Sequence, residues 1–122
     1  KMGVPNLAGH ACTWTETVTA TGDYTLTHTA EAGKTHYLAG FSCGGNTSGS
    51  NDHFTLTVSD GDTAVIVIDC SGHGASGYVG QTAIVDLSNP LRITQGAKIE
   101  MAWTDAASIE VSASMWGFTL DD

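Results

Sequence analysis

Apolar and polar side chains alternate with a period of two along much of the chain. In residues 24–29, for example, Tyr, Leu and His alternate with Thr, and the same pattern recurs in residues 54–59, 98–103 and 109–114. This period is typical of strands that bury one face. Thr and the β-branched aliphatic residues, which dominate these segments, also favour pleated structure. The pattern predicts strands and almost no helix.

Two segments depart from this simple alternation. Trp14 and Val18 lie on one face of a predicted strand, but Glu16 falls on the same face, which predicts an edge strand. Residues 64–68 are apolar throughout. A short continuous apolar run is typical of a strand covered on both faces. We therefore expect this strand either to be central in a sandwich or to have its outer face covered by a partner subunit.

Turn residues separate the predicted strands, and Asp followed by Gly between two strong strands is a hairpin signal. Two stretches rich in Gly and Ser, 44–52 and 71–80, are predicted to be loops. The shorter turn signals are Ala32-Gly33-Lys34, Asp60-Gly61, Asn89-Pro90 and Gln95-Gly96.

The number of strands and their spacing predict the fold class. Roughly eight strands without an internal repeat indicate an all-β protein, an antiparallel β-sandwich with a jelly-roll-like arrangement. We expect a single domain over residues 13–122. Residues 1–12 have no clear period and are predicted to be an N-terminal arm, which is either ordered by a partner or a fraying terminus.

The charge excludes several kinds of partner. Four Lys and Arg residues oppose thirteen Asp and Glu residues, which gives a net charge of -9. The acidic residues are spread along the chain, so the predicted surface repels both nucleic-acid phosphates and anionic lipids. The apolar run at 64–68 is too short to span a membrane.

Cysteine and acidic residues supply the first candidates for specific chemistry. Cys43 and Cys70 both end predicted strands, so they could form a disulfide, although buried free thiols are an equally good interpretation. Asp60 and Asp62 could contribute to a calcium site. Calcium takes six to eight oxygen ligands and this turn supplies two carboxylates, so an Asp-rich hairpin turn is the favoured interpretation.

Catalysis, zinc binding and glycan binding have less support. No G-x-S-x-G motif is present, and no two of the five histidines have the H-x-H or H-x-x-x-H spacing of metal ligands. The sequence predicts no catalytic residue and no cofactor. Trp14 and Tyr78 are candidate aromatic residues for stacking on a sugar, with Tyr78 in a glycine-rich loop.

Several segments resemble small virion proteins of tailed phages. Residues 32–40, AGKTHYLAG, are similar to the AGKTYYLTG type of strand in those proteins, and residues 56–61 resemble the hairpin that follows it. Residues 89–96, NPLRITQG, resemble a Pro-Leu-Arg/Lys-Val-Thr-x-Gly segment. A final strand ends in a Gly-aromatic pair, here Gly117-Phe118. The likeness covers about residues 24–120.

This resemblance implies a non-enzymatic head-decoration or cement protein located on the capsid surface of a virion. It implies two partners, the major capsid protein and further copies of the chain in a homotrimer. The three cysteines, five histidines and strong acidity depart from the family pattern. Two other functions remain open: a carbohydrate-binding module or receptor-binding fibre tip, and a filament subunit that exchanges a strand through residues 1–12.

Overall fold

The computed structural model describes residues 11–46, 53–71, 83–94, 98–104 and 109–121. Within these residues the regular structure consists of eight β-strands. The strands are β1 (Trp14–Thr21), β2 (Tyr24–Thr29), β3 (Lys34–Asn46), β4 (His53–Asp60), β5 (Thr63–Ser71), β6 (Ala83–Arg92), β7 (Lys98–Thr104) and β8 (Glu110–Asp121). No helix in the described part of the chain is long and apolar enough to cross a membrane.

The strands form two four-stranded sheets that pack face to face. The first sheet has the order β1-β8-β3-β6 and the second sheet has the order β2-β7-β4-β5. Every neighbouring pair is antiparallel. Eight strands in this order form a jelly roll. The predicted all-β sandwich of about eight strands is therefore confirmed.

The core lies between the two sheets and follows from the alternation in the sequence. On β4 and β7, every second side chain points inward and is almost completely buried, while the intervening threonines and charged residues point outward. Each large apolar side chain buried in this way contributes about 1.5–3 kcal/mol. The largest buried side chains are Leu38, Phe41, Phe54, Leu56, Ile93, Ile99, Met101, Trp103, Ile109 and Met115.

The position of the apolar run at 64–68 excludes one of the two predicted arrangements, a central strand. These residues form most of β5, which is an edge strand of the second sheet and not a central one. Ile66 and Ile68 pack against the core, whereas Val65 and Val67 point outward and are 42% and 64% exposed. A continuous apolar run has the same composition in a central strand and in an edge strand, so the local sequence does not distinguish the two positions.

Two predicted turn or loop boundaries also differ. Asn89 and Pro90 lie within β6, next to an irregularity in the β3–β6 register between Leu38 and Gly40. Proline cannot donate to a ladder, and β6 is an edge strand that tolerates it. The predicted loop at 44–52 begins later, because β3 continues to Asn46 and stays paired with β8.

The glycine turns behave as predicted. Gly61 has φ of 62° and closes the hairpin between β4 and β5, and Gly33 has φ of 79° where the chain passes from β2 to β3. Both values lie in the left-handed region, where glycine has no steric penalty. Most of the predicted N-terminal arm, the stretch 72–80 and the Gln95-Gly96 turn lie outside the described residues.

Candidate functional site

Two side surfaces of the sandwich carry unusual residues, and the first is a chain of polar side chains between β1, β2 and β3. Glu16, His28 and His36 all occupy inward-facing positions of their strands. β1 and β3 belong to the first sheet and β2 to the second. We call these three side chains, with the backbone N–H of Glu31, the histidine network. It connects the two sheets at this side of the molecule.

The hydrogen bonds of this network define the tautomer of each ring. The Glu31 N–H donates to His36 Nε2 over 3.0 Å, so this nitrogen carries no proton. In the neutral ring the proton is then on Nδ1, which lies 2.7 Å from His28 Nε2 and donates to it. His28 Nδ1, in turn, donates to Glu16 Oε2 over 3.0 Å. Every buried nitrogen of the pair is thus satisfied when both rings are neutral.

Burial favours the neutral form of His36. His28 and His36 are 8% and 5% exposed. Burial, followed by the charge that His28 would carry, lowers the pKa of His36 from its ordinary value. Glu31 opposes this shift and Lys34 adds to it slightly.

Trp14 covers the histidine network from the side of β1. Its indole stacks on the His28 ring with a centroid distance of 3.7 Å and an interplanar angle of 7°. Trp14 pairs with Gly117 on the neighbouring strand β8. A Cβ atom at Gly117 would lie 2.5 Å from Trp14 Cζ2 and would also clash with the Tyr37 carbonyl oxygen. Trp14 Nε1 is buried and has no hydrogen-bond partner within the described residues.

A pocket of about 490 Å³ opens beside the network. It combines one aromatic wall with hydroxyls, an ammonium group and carboxylates, so it presents both donors and acceptors to a polar ligand. Glu31 and Lys34 form an ion pair of 3.7 Å at its rim. Its lining residues are Thr13, Trp14, His28, Thr29, Glu31, Lys34, His36, Thr119 and Asp121.

The network does not form a known catalytic or metal-binding arrangement. Thr119 Oγ1 lies 3.4 Å from His36 Nδ1, but that nitrogen is already committed to His28 and cannot act as a base toward the hydroxyl. In the described part of the chain, no group of three or more His, Cys, Asp or Glu residues is placed to hold a metal ion.

The second unusual surface is apolar and lies on the edge strand β5. Val65 and Val67 point away from the core, and residues 64–68 carry no charged side chain and no proline. We call these two valines the β5 surface. On β6, the edge strand of the other sheet, Ile84 is 71% exposed. Exposed large apolar side chains on an edge strand are a means of association with another chain.

The candidate calcium residues are placed as parts of a turn. Both carboxylate oxygens of Asp60 accept hydrogen bonds from Thr94: Oδ1 from the backbone N–H at 3.2 Å and Oδ2 from the hydroxyl at 2.8 Å. This carboxylate therefore ties the end of β4 to the segment that follows β6. Asp62 is exposed in the hairpin turn. Calcium binding at these residues stays the less favoured of the two interpretations.

The two cysteines proposed as a pair lie close together in the core. Cys43 on β3 and Cys70 on β5 are both buried free thiols, whereas Cys12 is exposed. The interaction between the two thiols and their burial raise the pKa of Cys43, and the interaction with Cys43 lowers the pKa of Cys70.

The sequence indicated the components of the histidine network but not that these side chains contact one another. Trp14, proposed as a sugar-stacking residue, is half-buried and has one face on His28, and Tyr78 lies outside the described residues. The useful signal was the position of Glu16 on the apolar face of a strand. An inward carboxylate requires a partner, and the histidines at inward positions of β2 and β3 supply it.

Comparisons with known proteins give no family for this chain. No protein-family model matches it, and no curated protein matches it significantly. A similar solved structure is a chain in the structure of infectious bursal disease virus, Gx strain, with a TM-score of 0.41 and 16% sequence identity. The match covers 98% of this chain and 36% of that one, so this chain spans about a third of its length. A likeness this distant carries no functional argument.

Proposed function

We propose that this chain is a non-enzymatic structural protein of a virus particle, a decoration or cement protein on the capsid surface. The observation that carries this proposal is the β5 surface, a pair of exposed valines on an uncharged stretch of edge strand in a jelly roll. The proposed partners of this chain are the major capsid protein and further copies of the chain itself, with which it forms a homotrimer.

The argument starts from how the edge strands differ. Natural sheets protect their edges with proline or with inward-pointing charges. Here β1 carries the inward Glu16 and β6 carries Pro90, but β5 has neither in residues 64–68. An apolar edge strand favours association with a chain that covers it. Such an edge is expected in a subunit of a larger assembly.

The fold and the charge of the chain support the same role. The fold does so by analogy with other virion proteins, and the charge does so by complementarity to a basic surface. Jelly rolls occur in viral capsid proteins and in lectins, although fold alone does not define function. The net charge of -9 would favour docking on a basic capsid surface and would guide its orientation. The resemblance of residues 32–40 and 89–96 to phage virion proteins points the same way.

Assembly and particle binding test the proposal together. We expect the chain to elute as an oligomer in size-exclusion chromatography with light scattering, and to co-sediment with virus particles from the source of the sequence. Val67→Asp should reduce the oligomer and the co-sedimented fraction at least tenfold. Thr25→Asp is the matched control, since Thr25 is exposed and points outward on β2, the opposite edge strand of the same sheet.

The possible outcomes separate the alternatives. A monomer that does not sediment with particles would refute the proposal. An oligomer unaffected by Val67→Asp would remove the β5 surface as its basis. If assembly depends instead on residues 1–12, deletion of that segment should abolish it with the circular dichroism spectrum preserved, as a strand-exchanging filament requires.

A second candidate function, glycan binding, is favoured by the pocket beside the histidine network. Its aromatic wall and mixed polar lining are the features that sugar sites use. On a glycan array, Lys34→Ala and Asp121→Ala at the pocket rim should then abolish any signal. Lys98→Ala, on β7 away from the pocket, should leave it unchanged. Absence of binding by the unmodified chain would exclude this function.

A further inference from the structure

Cys43 and Cys70 face each other across the two sheets. Cys43 lies in β3, a central strand of the first sheet, and Cys70 lies near the end of β5, the edge strand of the second. Their side chains point into the core and are 1% and 3% exposed. Far apart in the chain, these two thiols are brought together by the packing of the sheets.

The surrounding contacts show that the sheets approach closely at this place. Phe54 is the register partner of Cys70 on β4, and its ring reaches the first sheet at Gly45, two residues beyond Cys43. A Cβ atom at Gly45 would lie 2.8 Å from Phe54 Cε1. The neighbour of Cys43 on β8 is the small residue Ala113. Little side-chain volume therefore separates Cys43 from Cys70, and each thiol influences the other electrostatically.

We propose that Cys43 and Cys70 form an inter-sheet disulfide when the chain folds in the presence of a disulfide oxidant such as oxidised glutathione. The Cys70 thiolate attacks one sulfur of glutathione disulfide and releases the first glutathione thiolate. The Cys43 thiolate then attacks the Cys70 sulfur of the mixed disulfide and releases the second. The two protons of the protein thiols end on the two glutathione molecules, and the protein is oxidised by two electrons.

Burial determines when this bond can form. In the folded chain neither thiol is accessible to glutathione, so oxidation occurs during folding or through transient opening of β5. Once formed, the bond links β5, which pairs only with β4 among the described strands, to the centre of the opposite sheet. Cross-linking these positions reduces the freedom of the unfolded chain and stabilises the fold. This consequence is independent of the proposed assembly function.

The test uses the full chain carrying Cys12→Ser, which removes the exposed thiol. The protein is refolded from denaturant in a glutathione redox buffer and, in parallel, under a reducing agent. We expect the oxidised sample to lose two mass units, to show no free thiol after denaturation, and to give one cross-linked peptide pair. Its Tm should exceed that of the reduced sample by about 10 °C.

Further samples make the result decisive. The same protein folded under reducing conditions and then exposed to oxidised glutathione should react at least tenfold more slowly than during refolding. A variant with Cys12→Ser and Cys43→Ala should gain no Tm from oxidation and should form only a mixed disulfide at Cys70. Two free thiols after oxidative refolding, or glutathione adducts on both cysteines, would overturn the proposal.

Discussion

The two lateral sides of this sandwich depart from the rule of apolar inside and polar outside in opposite directions. At the side formed by β1, β2 and the start of β3, a carboxylate and two imidazoles point inward and satisfy one another. At the side of β5, two valines point outward into solvent. Glu16, His28 and the two valines lie on edge strands, where a strand has a neighbour on one side only, whereas His36 lies on the central strand β3.

This contrast between inward polar groups and outward apolar groups indicates that edge strands serve two purposes here, stability of one chain and association between chains. Polar groups that point inward, such as Glu16, destabilise the folded chain unless each has a hydrogen-bond partner. They therefore favour the single arrangement of strands in which every such group has its partner. Apolar groups that point outward, such as Val67, are neutral for the fold of one chain but favour association. We expect substitutions at the first side to alter stability and those at the second to alter assembly.

The largest expected effect is at Gly117, below Trp14. A Cβ atom there would meet Trp14 Cζ2 at 2.5 Å and the backbone carbonyl of Tyr37, and a backbone atom of a central strand cannot move away. Gly117→Ala should lower the free energy of unfolding by about 3 kcal/mol, measured by urea denaturation. Gly33→Ala is the control, since open space surrounds that position and only its positive φ is strained, at about 1 kcal/mol. Equal effects would contradict close packing at Trp14.

The next effect concerns the integrity of the histidine network. His36→Leu leaves the Glu31 N–H and His28 Nε2 without partners and should cost about 2 kcal/mol in the free energy of unfolding. The double variant His28→Leu/His36→Leu removes both rings and leaves Glu16, which is partly exposed, to be hydrated. It should cost less than the sum of the single changes. Additive costs would show that the rings act independently.

The pH dependence of stability sharpens the same comparison. Because burial lowers the pKa of His36, the unfolded chain binds its proton first on acidification. The contribution of His36 to the free energy of unfolding is then fully present above the ordinary histidine pKa of 6.5. It is lost as the pH falls below 6.5 toward the pKa of His36 in the folded chain. The midpoint of urea unfolding should decrease between pH 7.5 and pH 5, and less so in His28→Leu/His36→Leu. A midpoint that stays constant in the unmodified chain would contradict this assignment.

The smallest effect on stability is expected at the β5 surface. Val67→Thr keeps a β-branched side chain in an exposed position and should change the free energy of unfolding by no more than about 0.5 kcal/mol. The same change should weaken self-association, which a dilution series in light scattering would measure. A loss above about 1 kcal/mol without any change in association would show that Val67 supports the fold of a single chain.

How far the sequence predicts a property of this fold depends on how local that property is. The alternation around Leu56 and Trp103 predicted both the strands and their buried faces, because side-chain direction in a strand depends only on position. The inward Glu16 correctly indicated an edge strand. The placement of Pro90 within a strand was missed, because the signal for a turn and for a tolerant edge is the same residue.

What the sequence determined by itself is most of the strands, the inward face of those that alternate and the glycine turns, since these depend on neighbours along the chain. Only the tertiary structure decided the order of strands in the sheets, and with it every long-range relation. That order made residues 64–68 an edge, brought His28 against His36, and placed Cys43 against Cys70. Pairing between distant segments depends on the packing of the whole core, and no short stretch of sequence contains that information.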